Sequence, residues 1–244
     1  GDHMSDAHLK PETKAQLEQV SVATLATALF KRGLCHQVIQ DVRPVKPKAR
    51  NMVGPAFTLR YIPAREDRNQ LVVFRDPKHP QRHAIETCPA GHVLVMDSRR
   101  DPSMASAGDI LITRLMVRGG AGVVTDGGFR DAMNIGELDI PAYHNRPSSP
   151  TNLTNNEAIE INGPIGCGNV AVFPGDIMVG DADSVIVIPA EIADEVATEA
   201  TEMTAYEDFA IEQVRAGQSI IGLYPATHPE NLDAFQEWRK KNNR

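Results

Sequence analysis

The stretch Gly119 to Asp131, GGAGVVTDGGFRD, decides how this chain folds. Gly122 to Thr125 reads as a short buried strand carrying β-branched valines, and Asp126, Gly127 and Gly128 break it. Arg130 and Asp131 then stand where a strand has just ended, the place where α/β sheets bind ligands. A guanidinium beside a carboxylate suits a small oxo-acid held together with a divalent metal.

Outward from this stretch, Ser106 to Arg118 reads as a helix, and Met52 to Ile62, Gly91 to Asp97 and Ile140 to His144 as strands. Alternation of helix, strand, turn and helix implies the α/β class with a parallel core and crossovers. Pro11 to Gly33 has the rhythm of one N-terminal helix, with Leu17, Val20, Leu25 and Leu29 apolar. From Ile161 the texture changes to short strands at Asn169 to Phe173, Ile177 to Val179 and Ser184 to Ile188, an antiparallel layer. Ala190 to Ala216 is a long helix closed by Gly217, and Pro225 to Arg244 a polar helical tail with Phe235 and Trp238 on one face. The division expected is one domain over residues 4–217 and a tail over 218–244 that packs on the body or on a neighbouring subunit. Gly1, Asp2 and His3, before Met4, read as an expression remnant.

With 244 residues, 41% hydrophobic and 23% charged, the chain can bury a real core. A formal net charge of -7 without a basic stripe argues against nucleic acid or an anionic membrane as the main partner and leaves small molecules or proteins. No segment approaches the roughly 20 apolar residues of a membrane span, and no signal peptide is recognisable, so a cytoplasmic location is expected. Cys35, Cys88 and Cys167 are odd in number and far apart, as reduced thiols would be.

Two anion-binding elements converge on the opening stretch. Ala107-Gly108-Asp109 begins a helix, whose free N–H groups and dipole favour a carboxylate, and Arg130 can grip a carboxylate with both arms of its fork. A 2-oxo acid such as pyruvate would be fixed between them. Asp109 and Asp131 are hard oxygen donors suited to Mg²⁺ or Mn²⁺. An ion chelated by the 2-oxo group and the carboxylate stabilises an enolate, which is the need of retro-aldol cleavage and of β-decarboxylation. All eight lysines fall at or before Lys78 or at Lys240 and Lys241, so a Schiff-base route lacks its amine. His144 and Arg146, just beyond a strand, are placed to touch substrate. Taken alone, an Arg-Asp dipeptide is most often a solvated surface pair, and Asp181 and Asp183 read as turn residues. His79 and His83, beside Pro77 and Pro80, do not make a helical metal pair.

The run AGDILITRLMVRGGAGVVTDGGFRD, Pro141 after Ile140, and the later run GNVAVFPGDIMVGDADSVIVIP resemble the RraA-like family, over about Val20 to Gly217. That family includes divalent-metal aldolases acting on 4-hydroxy-4-methyl-2-oxoglutarate and 4-carboxy-4-hydroxy-2-oxoadipate, and the regulator of ribonuclease activity. The resemblance implies a swivelling β/β/α single domain assembled as a homotrimer or a dimer of trimers, with the site at subunit interfaces. It also implies a pyruvyl carboxylate bound by Arg130 and by the backbone of Gly108, Asp109, Ile110 and Leu111. The metal would be held by Asp131 and, through water, by Asp109, with a glutamate from a neighbour's long C-terminal helix. Counting back from Gly217, Glu207 matches best, with Glu199, Glu202 and Asp208 as rivals. One departure stands out: the aldolases usually carry an acid three positions after the motif aspartate, where this chain has Asn134, with Glu137 as a possible substitute. The expected function is a divalent-metal-dependent 2-oxo-acid lyase, aldolase or decarboxylase; the alternative, which Asn134 favours, is a non-catalytic protein-binding regulator of an RNA-processing enzyme.

Overall fold

The structure is a computed structural model that describes residues 9–244. Gly1 to His3 and the first residues of the expected domain lie outside the described part. The N-terminal segment forms two helices rather than one, α1 (Pro11–Leu17) and α2 (Val22–Phe30). Between them Asn51 Nδ2 donates to the Leu17 and Val20 carbonyls at 3.1 and 2.6 Å, and Ser21 Oγ accepts from Thr24 N at 3.1 Å. The first helix is thus ended by a side chain from a distant loop and the second begun by its own N-cap. Leu25 and Leu29 of α2 are fully buried, each contributing about 1.5–3 kcal/mol to docking of this layer.

The strands that follow are β1 (Arg43–Pro44) and the twelve-residue β2 (Met52–Pro63). After α3 (Pro80–Thr87) come β3 (Val93–Asp97), β4 (Ala105–Ala107) and α4 (Asp109–Val117). Next are β5 (Gly122–Thr125), β6 (Gly128–Phe129), α5 (Ala132–Glu137), β7 (Ala142–His144) and β8 (Arg146–Pro147). The remainder comprises β9 (Asn156–Ile161), the hairpin β10 (Ile165–Cys167) and β11 (Val170–Val172), then β12 (Ile177–Gly180) and β13 (Val185–Ile188). The chain ends with α6 (Ala193–Arg215) and α7 (Pro229–Asn242).

The main sheet has the order β1-β7-β5-β3-β2-β12-β13, with β9 also on β2. Strands β7, β5, β3 and β2 run parallel, as the crossovers require, while β12 pairs antiparallel with β2 and β13. The expected separate antiparallel layer is therefore mostly an extension of one mixed sheet: β2 is long enough to pair with β12 at its start and with β3 and β9 further on. Within that part of the chain, β10 and β11 stand apart as a two-stranded hairpin.

One apolar cluster joins Leu94, Met96, Ile112, Leu115, Phe129 and Ile135 beneath α3 to α5. A second packs α1, α2 and α6 on Val179, Ile186 and Ile188, and a third seals the hairpin against Val95, Val124 and Val187. The tail helix α7 lies on α6 of the same chain, where Phe209, Phe235 and Trp238 pack ring against ring. All three cysteines are free thiols. Among the described residues no helix is long and apolar enough to cross a membrane.

Candidate active site

Three short strands form a second parallel sheet, β4-β6-β8, and each follows one strand of the main sheet: β4 comes after β3, β6 after β5 and β8 after β7. The opening stretch thus differs from its sequence reading in one respect. After Thr125 the chain does not turn directly to Arg130 but runs through β6. The glycines are there for close approach: a Cβ on Gly127 would lie 2.8 Å from Ser98 Cβ, and one on Gly128 2.5 Å from the Arg146 carbonyl oxygen. Likewise the helix expected from Ser106 starts only at Asp109, because Ala105 to Ala107 pair with β6 instead.

Beneath this sheet is a buried network that the sequence did not reveal. Ser106 Oγ lies 2.6 Å from both Ser98 Oγ and Thr125 Oγ1, and Thr125 Oγ1 accepts from Gly127 N at 3.0 Å. Asp126, read from sequence only as a strand breaker, accepts from Ser98 N at 2.7 Å and Gly168 N at 3.0 Å, tying three strand ends together. Its burial pushes the carboxyl pKa up, against the opposing pull of those N–H donors.

The ends of β4 and β6 deliver the expected residues to one cavity of about 320 Å³. Gly108, Asp109, Ile110, Leu111, Arg130 and Asp131 all line it. Gly108 is the N-cap of α4 and provides no side-chain cap, so the N–H groups of the first turn remain available to a ligand. The arginine stem lies directly over it: a Cβ on Gly108 would sit 2.9 Å from Arg130 Cγ and 3.8 Å from Asp131 Oδ2. Asp131 adopts the left-handed conformation, φ 54 and ψ 41, which turns the chain from β6 into α5. Asn134, one turn along α5, donates from Nδ2 to Asp109 Oδ2 at 3.1 Å. The asparagine is therefore not idle in the acid's place; it orients the loop aspartate.

Other expected residues lie elsewhere. His144 is buried behind β6 and is not part of the cavity lining, because its ring stacks on Phe129 and its Nδ1 accepts from Phe129 N at 3.3 Å. Burial, with a smaller contribution from the Arg43 charge, lowers its pKa to about 4, so the ring is neutral. Glu137 is paired with Lys46 at 2.9 Å, which draws it away from the role of substitute acid. On α6, Glu199, Glu202 and Asp208 are each held by arginines, Arg32, Arg239 and Arg244. Among the described residues Glu207 accepts only from the Thr24 hydroxyl, at 2.9 Å, and it borders a separate apolar groove with Ile211, Val214 and Ile220.

The cavity lining also includes residues that the sequence did not single out: Phe74, Gln81, Arg82, Thr151 and Asn152. The sequence reading did not recognise α3, whose first turn carries Gln81 and Arg82. No lysine lines the cavity. Within one chain no group of three or more His, Cys, Asp or Glu side chains gathers as a metal cage among the described residues. Mg²⁺ needs no such cage: one or two carboxylates plus waters and substrate oxygens suffice, and the hard donor pair Asp109 and Asp131 fits that requirement.

The sequence model of the RraA-like family, described as Aldolase/RraA, matches residues 22–187. The chain belongs to the RraA-like family. A Halalkalibacterium halodurans protein named "Putative 4-hydroxy-4-methyl-2-oxoglutarate aldolase" is 34% identical over 151 residues, covering 59% of this chain and 64% of that protein. The match thus spans somewhat less than two thirds of that relative. Streptomyces coelicolor RraAS2, described as an unusual member of the RNase ES inhibitor RraA protein family, superposes with a TM-score of 0.72 at 26% identity, over 83% of this chain and 96% of its own. An uncharacterized Pseudomonas syringae protein has the same fold, with a TM-score of 0.76 at 22% identity over 88% and 94% of the two chains. The α/β architecture with its long C-terminal helix is therefore the RraA-like fold.

Proposed function

We propose that this RraA-like protein is a divalent-metal-dependent carbon–carbon lyase acting on a 2-oxo acid, by retro-aldol cleavage of a 4-hydroxy-2-oxo acid to pyruvate or by β-decarboxylation of an oxaloacetate-type substrate. The observation that carries this reading is the convergence, in one cavity, of the Arg130 fork, the uncapped start of α4 and the carboxylates of Asp109 and Asp131. Arg130 and the N–H groups of Asp109, Ile110 and Leu111 grip the substrate carboxylate and fix which face of the 2-oxo group looks into the cavity. Asp131 and Asp109 would hold Mg²⁺ or Mn²⁺, which when bound supplies a Lewis acid for the negative charge that develops on the 2-oxo oxygen. Asp109 Oδ2 is engaged by Asn134, which leaves Oδ1 to take the proton of the substrate hydroxyl through a water.

Assembly belongs to the same proposal. Glu207 would complete the site of a neighbouring subunit in a trimer or dimer of trimers, since it alone of the four acids weighed on α6 has no cationic partner among the described residues. The test is pyruvate release from a panel of 4-hydroxy-2-oxo acids and from oxaloacetate with Mg²⁺ or Mn²⁺. Activity that disappears with EDTA and in Arg130→Ala is expected; a protein inert on the whole panel with metal present overturns the reading.

A second reading, a non-catalytic regulator of an RNA-processing enzyme, is favoured by the likeness to the Streptomyces inhibitor-family structure. Mn²⁺ titration separates the two. A lyase binds the ion at a specific site lost in Asp131→Asn, whereas a regulator shows no such site.

A further inference from the structure

Ser106 is where β4 departs from a regular strand. Ala105 stands opposite Gly128 and Ala107 opposite Phe129, so two steps of β4 face one step of β6 and Ser106 is a bulge. The residues just beyond it are the ones the proposed function needs. The Ala107 carbonyl accepts from Arg130 N at 3.1 Å, and Gly108 then begins α4. The conformation of this one segment therefore sets the aim of Arg130 and the direction of the free α4 amides together.

The segment is held from two sides. Ser106 Oγ is fixed in the hydroxyl network with Ser98 and Thr125, and the Ser106 carbonyl accepts from the Tyr61 hydroxyl at 2.7 Å and from Gln81 Nε2 at 2.7 Å. A bulged residue is left without a regular ladder partner, and here side chains distant along the chain supply the donors to its carbonyl. Gln81 lines the cavity, whereas Tyr61, on β2, is buried and is not part of the lining. Tyr61 stands at an irregularity of its own, since the register of β2 against β9 slips between Arg60 and Tyr61. Burial pushes its pKa up, so the hydroxyl keeps the proton that it donates.

We infer that Tyr61 is a positioning residue: through the Ser106 bulge it holds Arg130 and the start of α4 in the relative placement at which both grip one carboxylate. The inference rests on the proposed function for what they grip. Because Tyr61 is not in the lining, removing its hydroxyl removes no contact with a ligand. It removes one of the two side-chain donors to the Ser106 carbonyl and leaves Gln81 to hold that peptide alone. Two groups that act together on one anion lose grip when the segment joining them shifts even slightly.

Tyr61→Phe in the full chain tests this against Tyr143→Phe, which deletes a likewise buried hydroxyl that donates to a backbone carbonyl, that of Asp181 at 2.7 Å, outside the cavity lining. The two readouts are calorimetric binding of pyruvate in buffer with Mg²⁺ and hydrogen exchange of the Arg130 amide. In Tyr61→Phe the Kd for pyruvate is expected to rise about tenfold, and the Arg130 amide to exchange about tenfold faster relative to the amides of β3. In Tyr143→Phe neither changes, although the melting temperature falls in both variants. Ser106→Ala, which releases the segment from its other side, provides the same test if Tyr61→Phe does not fold. Pyruvate affinity that is unchanged in Tyr61→Phe, or that falls equally in Tyr143→Phe, overturns the inference and leaves the lyase reading standing. If the wild type binds no pyruvate, the lyase reading falls and exchange at Arg130 decides alone: faster exchange confined to Tyr61→Phe upholds the hold on this segment, and equal rates overturn that as well.

Discussion

The Arg-Asp pair owes its geometry to a residue twenty-two positions earlier. Gly108 is not in a left-handed conformation, at φ -120 and ψ -177, so glycine is required there for space and not for backbone freedom. Gly108→Ala should leave the melting temperature nearly unchanged yet lower kcat/KM about tenfold, because its Cβ displaces the Arg130 stem. Arg130→Lys keeps the charge but loses the fork, and a rise in KM of about 10- to 100-fold in the pyruvate-release assay is expected. His144 predicts a pH effect. Its folded pKa is depressed to about 4, so between pH 6.5 and 4 the unfolded chain binds more protons and stability falls as pH falls. In urea unfolding, the advantage of the wild type over His144→Gln should be largest at pH 7 and shrink by about 2 kcal/mol at pH 5.

At the scale of elements, the central and C-terminal helices and the long strands follow from periodicity, but the short helices α3 and α5 and the three-stranded sheet that carries the site do not. The strands of that sheet are two or three residues long, too short for alternation or propensity to register. They exist because β3, β5 and β7 end side by side and hand their chains on in register. Gly128 is the tightest point of that sheet. Gly128→Ala sets a Cβ against a backbone oxygen that cannot move aside, and a loss of about 2–4 kcal/mol in chemical denaturation is expected. The break between α1 and α2 has the same origin, since an apolar rhythm continuous over Leu17, Val20 and Leu25 is interrupted by Asn51, thirty-one residues beyond Val20.

For the whole molecule, the tail is a clasp on α6 and not part of the sheet. Deleting residues 219–244 would uncover Phe209 and Ala205 and remove the stacked Phe235 and Trp238. The circular dichroism spectrum should keep its β content while the melting temperature falls by about 5–10 °C. Sequence by itself determined the α/β class, the parallel core, the long closing helix and the meeting of Gly108, Asp109, Arg130 and Asp131. Each of these rests on local chemistry: β-branched runs, turn residues, a helix start, and a fork beside a carboxylate. Only the tertiary structure decided that His144 faces the core, that Asn134 steers Asp109, and that Arg82, Gln81 and Asn152 line the same cavity. Those outcomes depend on which segments, distant along the chain, pack against one another, and burial and hydrogen-bond satisfaction at such contacts leave no local trace in the order of residues.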